Sequence, residues 1–447
     1  MAVTVDKPEL ARCVPEQGEL SSRAAAEAYV GGVCFKLGPP VLVGAELEWL
    51  TVQGECSASG PSAAPRPQLS DLADVLGPYA PRSIAPDSPA LALPGGSRVT
   101  LEPGGQIELS SAPYADAAQL CDRLRDDARL LRKLLESRSI RTVSLAADAD
   151  RRPKRLLQSP RYRAMEQVFG GIGPFGKVMM CNTAATQVSV DAGADRAAVT
   201  ARWNALYAIG PALLAAFACS PALRGAPAGT WASQRMRAWL RLDNARTRPP
   251  VMDWTDPIAA YSKWALDVPL LCVRRPDNVV SPGPNGTDTG WSAPPGATFA
   301  DWLSGALDDE VGRRPDVSDL DYHLTTMFPP VRASGHLEVR YIDAQPGDTW
   351  STPVHVLEAL VSSPCVIAEA TAITAPLAGH WLAAARYGLA DPEIRSGAVD
   401  LLRLAAAHAA TAAGAAEIES AAERCRSGRT PTENYTGAGP HRPGAAA

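Results

Sequence analysis

The stretch LEPGGQIELSS, residues 101–111, carries two carboxylates and one amide at alternating positions. Side chains alternate between the two faces of a β-strand, so residues two apart share a face. We therefore expect Glu102, Gln106 and Glu108 on one face, and Ile107 and Leu109 on the other. Acids that share a face opposite an apolar side can bind a cation, or they can form a solvated strand.

The same pattern recurs in three other stretches of the chain. The predicted polar-face residues are Glu46 and Glu48 in GAELEW, Gln187, Ser189 and Asp191 in TQVSVD, and Glu338 and Arg340 in HLEVRY. Each stretch by itself is typical of a solvated strand face. If the strands are neighbours in one sheet, however, they predict a sheet face lined by carboxylates.

Such a face has a definite chemistry. Carboxylates that are packed together repel each other, and the repulsion raises their pKa values. Hard cations relieve this repulsion, and oxygen ligands without His or Cys suit Mg²⁺ or Mn²⁺. A cation held in this way can also bridge phosphate groups. The pattern therefore predicts a metal site that holds ATP without a glycine-rich phosphate loop.

One segment, GIGPFGKV at 171–178, matches a phosphate-binding loop only up to its lysine. Val178 stands where that loop needs Ser or Thr to bind Mg²⁺, and the segment follows a predicted helix rather than a strand. Both departures argue against a phosphate-binding loop, and a glycine-containing loop near the substrate is the preferred interpretation.

A basic segment, SQRMRAWLRLDNARTRPP at 233–250, complements the acids. It contains Arg235, Arg237, Arg241, Arg246 and Arg248. Guanidinium groups bind carboxylates and phosphates through two parallel hydrogen bonds. The alternative for any one of these arginines is a solvated basic surface.

Composition limits the class of protein. The formal net charge of −5 argues against a nucleic-acid-binding surface, which is basic. The nine cysteines are scattered without paired spacing, and the first residues lack an apolar signal core, so we expect a cytoplasmic protein. The apolar stretch 203–223 is interpreted as a buried core helix rather than a membrane span, because it contains Asn204 and Pro211.

The elements that must position these residues follow from periodicity. Strands are predicted at 41–52, 98–111 (a hairpin), 181–191 and 332–343, and helices at 21–30, 114–139, 196–219, 352–387 and 392–426. Strands and helices do not alternate regularly, so the sequence predicts an α+β fold with an antiparallel sheet. We expect one catalytic domain over 1–427, a surface loop at 276–297, and a disordered tail at 428–447.

Taken in chain order, the motifs GAELEW, LEPGGQIELSS, CNTAATQVSVD, RMRAWLRLDNAR and HLEVRYID resemble the glutamate–cysteine ligases of the plant and actinobacterial type. The actinobacterial members that serve the ergothioneine pathway are the most similar. The resemblance implies a catalytic core like that of glutamine synthetase, in which a curved antiparallel sheet forms a funnel flanked by helices. It also implies L-glutamate, L-cysteine and ATP as substrates, with Mg²⁺ or Mn²⁺.

The resemblance implies roles for particular residues. The metal-binding acids correspond to Glu46, Glu48, Glu102, Glu108 and Glu338. Arg340, beside the last acid, and Glu108 are assigned to catalysis, whereas Arg235, Arg246 and Gln187 are assigned to substrate binding.

Two alternatives remain open at this stage. The chain could be another carboxylate–amine ligase or a phosphagen-type kinase with the same core, or a non-catalytic nucleotide-binding protein that keeps the fold. Neither the acceptor amine, the number of metal ions nor the oligomeric state follows from the residues.

Overall fold

The computed structural model describes residues 20, 22–54, 64–250, 252, 254–275 and 291–434. Within these residues the chain forms one antiparallel sheet and a surrounding set of helices. The antiparallel α+β prediction is therefore confirmed.

The sheet contains seven strands among the described residues. They are β1 (Val43–Gln53), β2 (Arg98–Leu101), β3 (Ile107–Ser110), β4 (Ile140–Val143), β5 (Ala185–Val190), β6 (Val331–Ala333) and β7 (Leu337–Asp343). The strand order is β2-β3-β1-β5-β7-β6, and every pairing is antiparallel. The end of the long strand β1 leaves this order and pairs with β4, from Leu50 to Gln53.

The helices fall into groups along the chain. The first are α1 (Arg23–Cys34), α2 (Leu69–Leu76), α3 (Ala117–Glu136), α4 (Pro160–Ile172), α5 (Gly176–Asn182), α6 (Arg196–Ala208), α7 (Gly210–Phe217), α8 (Gln234–Leu242) and α9 (Pro257–Asp267). The second group is α10 (Phe299–Ser304), α11 (Asp308–Val311), α12 (Val317–Leu324), α13 (Ser351–Leu360), α14 (Pro364–Thr374), α15 (Trp381–Tyr387), α16 (Pro392–Ala407), α17 (Ala412–Arg426) and α18 (Pro431–Asn434).

The two faces of the sheet differ as the alternation predicts. Leu47, Ile107, Val188 and Val339 are at most 2% exposed and belong to the hydrophobic core. Helices α3, α7 and α13 pack against the strands and contribute to the same core. Burial of this apolar area is the main term that favours folding. The opposite face is left to the polar side chains.

The predicted hairpin at 98–111 consists of β2, β3 and a tight turn at Pro103–Gly105. The Gly105 amide donates to the Glu102 carbonyl at 2.9 Å, and Gly105 has a φ of +86°. A Cβ on Gly104 would lie 2.3 Å from the Cys181 carbonyl oxygen, so only glycine fits. The turn therefore holds Glu102 against helix α5.

Several element boundaries differ from the predictions. Cys181 and Asn182 end α5, so β5 begins only at Ala185. The segment 332–343 is a hairpin, because a turn at 334–336 with Gly335 at φ +80° separates β6 from β7. Residues 196–219 divide at Gly210, where α7 begins, and residues 352–387 divide into α13, α14 and α15, of which α14 begins at Pro364 and α15 at Trp381.

Other predictions fall partly outside the described residues. Most of the predicted loop, 276–290, and residues 435–447 of the predicted tail are outside. Residues 428–434 are described and include the short helix α18. The single-domain organisation over 1–427 stays a prediction.

The apolar stretch 203–223 spans the end of α6 and all of α7, and every residue of α7 is buried. The prediction of a buried core segment is confirmed. Over the described part of the chain, no single helix is long and apolar enough to cross a membrane; α13 with the segment Pro364–Leu377 meets that test only as a pair bent by 108°.

His323 predicts a pH dependence of stability. Burial lowers the pKa of His323 to about 3, and its Nε2 lies 2.8 Å from the Ala265 carbonyl oxygen. Since the unfolded chain binds a proton that the folded chain excludes, stability falls as the pH drops below about 6.5. We expect His323 to contribute a loss of about 2 kcal/mol between about pH 7 and about pH 5.

Urea titrations of the wild type and His323→Gln at both pH values test this expectation. The carboxyl groups titrate in both proteins. The difference between the two losses of unfolding free energy therefore reports the contribution of the His323 imidazole alone. Equal losses of unfolding free energy in the two proteins would contradict it.

Candidate active site

The strand register brings the predicted acids together on one face of the sheet. Glu48 on β1 lies directly opposite Glu108 on β3. Glu46 lies opposite Gln187 on β5, and Ser189 lies opposite Glu338 on β7. The prediction that these strands are neighbours in one sheet is therefore confirmed.

Three of the acids form a compact group, which we call the three-acid cluster: Glu48, Glu102 and Glu108. One carboxylate oxygen from each lies within 4.8 Å of the others. The Thr100 hydroxyl donates to Glu108 Oε1, and the Ala185 amide donates to Glu48 Oε2 at 2.9 Å. These donors fix the direction in which the carboxylates point.

Burial dominates the electrostatics of the three-acid cluster. Desolvation, together with the neighbouring carboxylates, raises the pKa of Glu102 to about 7. The pKa of Glu108, which is fully buried, is raised well above its ordinary value by desolvation and by Glu46. A charged group of opposite sign would therefore stabilise the ionised forms.

The cluster fits a hard divalent cation. Its ligands are all carboxylate oxygens, and Glu108 Oε2 is buried without a hydrogen-bond partner among the described residues. Buried polar atoms are rarely left unsatisfied, so this oxygen indicates a ligand. Oxygen-only ligands suit Mg²⁺ or Mn²⁺.

The remaining two predicted metal ligands lie outside the three-acid cluster. Glu338 accepts hydrogen bonds from Arg332 and Arg340, at closest distances of 2.8 and 2.7 Å. Although burial acts to raise it, the two guanidinium groups hold the pKa of Glu338 well below its usual range. The expectation that all of these acids have raised pKa values is wrong for Glu338, because cations flank it.

Gln187 lies between two of the acids. Its Nε2 donates to Glu46 Oε2 and to Glu48 Oε1, both at 3.1 Å. Ser110 also donates to Glu46, at 3.3 Å. Gln187 therefore holds carboxylates in place, while its own Oε1 is buried without a partner in the described part of the chain.

A small, partly open cavity lies beside the three-acid cluster. Its lining residues are Glu48, Glu102, Gln106, Met179, Thr183, Arg235, Trp239 and Arg340. The lining combines two acids with two arginines and an indole. The cavity therefore offers both a cation site and anion-binding groups.

The two arginines contact each other through the backbone of β7. Arg235 Nη2 donates to the Arg340 carbonyl at 2.7 Å, and the Arg340 guanidinium lies 5.5 Å from the centre of the Trp239 ring. Arg235 and Trp239 are four residues apart on α8, so both project from the same side of that helix. Arg237 and Arg241 instead stack on Trp231, away from the cavity.

The structure does not bring Arg246 to the cavity. Its guanidinium donates to Asp243 Oδ2 at 2.9 Å, to the Thr326 carbonyl at 3.1 Å and to the Pro269 carbonyl. These groups belong to the chain itself, and Arg246 is not among the residues that line the cavity. The geometry gives Arg246 a role in holding three segments together rather than in gripping a substrate.

The glycine-containing segment 171–178 joins α4 to α5. Lys177 pairs with Glu166 at 2.6 Å, and the element directly before the segment is helix α4 rather than a strand. The rejection of a phosphate-binding loop is therefore confirmed.

Sequence reasoning missed several residues of the site. Thr100 shares the strand face of Glu102 by alternation, and Trp239 follows Arg235 by one helical turn, so both had a periodic signal. Arg332 and Met179 had none, because only the β6–β7 hairpin and the position of α5 bring them to the site.

The fold and the site define a class of protein. A solved structure of a glutamate–cysteine ligase from Francisella tularensis, in complex with AMP, superposes with a TM-score of 0.51 at 14% identity. The match covers 89% of this chain and 84% of that one, so the two share the fold.

The family follows from sequence. The model of glutamate-cysteine ligase family 2 matches residues 42–445, and the chain belongs to this family. Glutamate–cysteine ligase EgtA of Mycolicibacterium smegmatis is 37% identical over 395 residues, which is 88% of this chain and 86% of the relative. The EgtA of Mycobacterium tuberculosis is 35% identical over 415 residues, with 91% and 88% covered.

A chloroplastic glutamate–cysteine ligase from Medicago truncatula is 31% identical over 256 residues, 56% of this chain and 48% of the relative. The resemblance to the plant and actinobacterial ligases is confirmed, and so is the prediction that the chain is an enzyme of this class.

Glu108→Gln should weaken cation binding without unfolding the protein. The change keeps the shape of the side chain and removes a charge from the three-acid cluster. We expect Mn²⁺ affinity to fall, and turnover to fall by about 10²–10³. Titration of free Mn²⁺ by electron paramagnetic resonance measures the first effect, and Glu166→Gln is the control outside the cluster. A variant that binds Mn²⁺ as the wild type does would show that Glu108 is not a ligand.

Arg246→Lys should lower stability and leave substrate affinity almost unchanged. Lysine keeps the charge but cannot reach Asp243, Thr326 and Pro269 together, and each lost hydrogen bond at a charged group costs about 1.5–3 kcal/mol. Thermal unfolding and KM for each substrate are the measurements. A raised KM with an unchanged melting temperature would instead make Arg246 a substrate-binding residue.

Proposed function

We propose that this protein joins the γ-carboxylate of L-glutamate to the amine of L-cysteine at the expense of ATP. The products are γ-glutamylcysteine, ADP and phosphate, and γ-glutamyl phosphate is the intermediate. Two relatives that are 37% and 35% identical to the chain over the aligned residues bear the name glutamate–cysteine ligase EgtA, which supports this assignment and a role in ergothioneine biosynthesis. We also propose a cytoplasmic location.

One observation carries the proposal. Glu48 and Glu102 of the three-acid cluster line the same cavity as Arg235 and Arg340. Both substrates of the first step are anions, so their approach needs positive charge. The cavity can supply that charge from two directions, through a bound cation and through guanidinium groups.

The acids have a definite part in this reaction. Glu48, Glu102 and Glu108 would hold Mg²⁺ or Mn²⁺, which when bound neutralises phosphate charge. Thr100, Gln187 and the Ala185 amide keep the carboxylates oriented before any ligand enters. Such preorganisation avoids the cost of turning ligands during the reaction.

In the first step the glutamate γ-carboxylate attacks the γ-phosphorus of ATP, and ADP leaves with the electrons of the broken bond. Arg340 lies beside the cavity with its Nε buried and unpartnered among the described residues. A donor of this kind stabilises charge that develops on the transferring phosphoryl group. Arg235, on helix α8, is the group that we assign to the glutamate α-carboxylate.

In the second step the unprotonated cysteine amine attacks the acyl carbon, phosphate leaves with the electrons of the C–O bond, and the phosphate can accept the proton that the nitrogen loses. The leaving group is stable, so the step needs no covalent enzyme intermediate.

A coupled assay for ADP release tests the proposal. We expect release that requires L-glutamate, L-cysteine and a divalent cation, with γ-glutamylcysteine identified by mass spectrometry. EDTA should abolish turnover, and added Mg²⁺ should restore it. A panel of other amines in place of cysteine separates this ligase from another carboxylate–amine ligase of the same fold. No ADP release with any amine would favour a non-catalytic nucleotide-binding protein.

Two arginine substitutions should affect different kinetic parameters. Arg235→Lys should mainly raise KM for glutamate, because lysine loses the two parallel hydrogen bonds to a carboxylate. Arg340→Lys should mainly lower kcat, because its interaction strengthens as charge develops. Steady-state kinetics with glutamate varied at saturating ATP and cysteine measure both. The reverse division would interchange the two roles.

A further inference from the structure

Asp343, the last residue of β7, is a buried carboxylate that lies outside the three-acid cluster. It is 1% exposed, and no sequence motif assigned it a role. Its Oδ2 accepts from the Cys219 amide at 3.0 Å and from the Ser220 hydroxyl at 2.7 Å. Its Oδ1 accepts from the Ser233 hydroxyl at 2.9 Å. Both carboxylate oxygens of Asp343 therefore accept hydrogen bonds from the chain itself.

The two hydroxyls that Asp343 holds organise the start of α8. Ser233 is the N-cap of this helix, and its Oγ accepts from the Met236 amide at 3.0 Å. Ser220 Oγ accepts from the Arg235 amide at 3.2 Å. One carboxylate thus determines where the first turn of α8 lies relative to β7.

Asp343 also acts on the arginine that this first turn carries into the cavity. Arg235 Nη1 lies 3.7 Å from Asp343 Oδ1, and Arg235 Nη2 donates to the Arg340 carbonyl at 2.7 Å. Nη2 thus hydrogen-bonds to β7, whereas Nη1 donates to Met236 Sδ at 3.2 Å and lies within ion-pair distance of Asp343. The backbone of Arg235 is fixed through Ser220, and its charge is balanced by the carboxylate.

A buried carboxylate of this kind is costly, so its partners matter. Leaving one partner of a buried ion pair without the other exposes an uncompensated charge in a medium of low polarity. Asp343 interacts with four groups of the chain: the Cys219 amide, the Ser220 and Ser233 hydroxyls and the Arg235 guanidinium. None of these groups belongs to the three-acid cluster. This arrangement is what a residue needs in order to orient another side chain without touching the ligand.

We propose that Asp343 is a positioning residue that sets the direction of Arg235 toward the α-carboxylate of glutamate. The inference rests on the proposed function, since it assigns glutamate to Arg235. Bidentate binding of a carboxylate depends on the angle of the guanidinium plane, so a small rotation weakens it.

Asp343→Asn tests the proposal, because it keeps the size of the side chain and removes the charge. We expect the Kd for L-glutamate, measured by calorimetry with Mg²⁺ and a non-hydrolysable ATP analogue, to rise roughly tenfold or more. The KM for glutamate should rise in parallel, and the affinity for the ATP analogue should stay within about twofold of the wild type.

Asp319→Asn is the matched control. Asp319 is also buried and pairs with Arg313 and Arg274, away from the cavity lining. This variant should lose thermal stability while its Kd for glutamate remains unchanged. A loss of stability by itself therefore cannot imitate the expected result.

A double variant decides whether Asp343 acts through Arg235. In an Arg235→Lys background, Asp343→Asn should change the Kd for glutamate by less than about twofold, because the group that it positions is already altered. Effects that multiply, or an Asp343→Asn protein with unchanged glutamate affinity, would overturn the inference.

Two further arms complete the test. If Asp343→Asn does not fold, Ser220→Ala removes one bond to Asp343 and to the Arg235 amide, and should raise the same Kd by a smaller factor; no change would overturn the inference. A wild type that binds no L-glutamate would overturn the proposed function together with this inference. A wild type that binds glutamate, with an unaffected Asp343→Asn, would overturn the inference alone.

Discussion

The burial of several carboxylates on one face of an antiparallel sheet is the constraint on which the rest of this structure depends. Like charges in a medium of low polarity raise the free energy of the folded state unless each is compensated. The protein compensates them in three ways. Hydrogen-bond donors hold the three-acid cluster, an amide bridges Glu46 and Glu48, and two guanidinium groups flank Glu338. A deficit of positive charge remains at the cluster, where Glu108 Oε2 has no partner in the described part of the chain.

The elements around the acidic face of the sheet hold its side chains in position. A glycine turn between β2 and β3 places Glu102 within reach of the other two acids, and only glycine fits beside Cys181. Helix α8 crosses near the end of β7 and supplies Arg235 and Trp239 to the same cavity. On the reverse side the sheet is apolar and packed against helices, so the strands cannot shift to relieve the repulsion. The rigid packing of the apolar side therefore keeps the mutually repelling carboxylates of the polar side close together.

Arg235 and Arg246 show what a sequence motif can predict and what it cannot. Both arginines lie in one basic segment, and the resemblance to known ligases predicted that both bind substrate. In the folded chain Arg235 lines the cavity, whereas Arg246 spends its donors on Asp243, Thr326 and Pro269. A guanidinium can bind a ligand only where the fold brings it to the site, which happens for Arg235 and not for Arg246. The sequence states where an arginine is, but not which acceptors from distant segments have reached it.

The sequence by itself determined the class of fold, the faces of the strands and the identity of the acids. These depend on alternation along one strand, which is a local property of the chain. It also determined the family, which the similarity over most of the chain bears out. Only the tertiary structure decided that Glu48, Glu102 and Glu108 meet while Glu46 and Glu338 find other partners, that Thr100 orients an acid, and that Asp343 holds the start of α8. Register, turn geometry and helix placement join residues more than a hundred positions apart, and hydrogen bonds are sensitive to differences of less than an ångström. No local pattern specifies a distance of that kind, because it is the outcome of packing the whole chain around a single core.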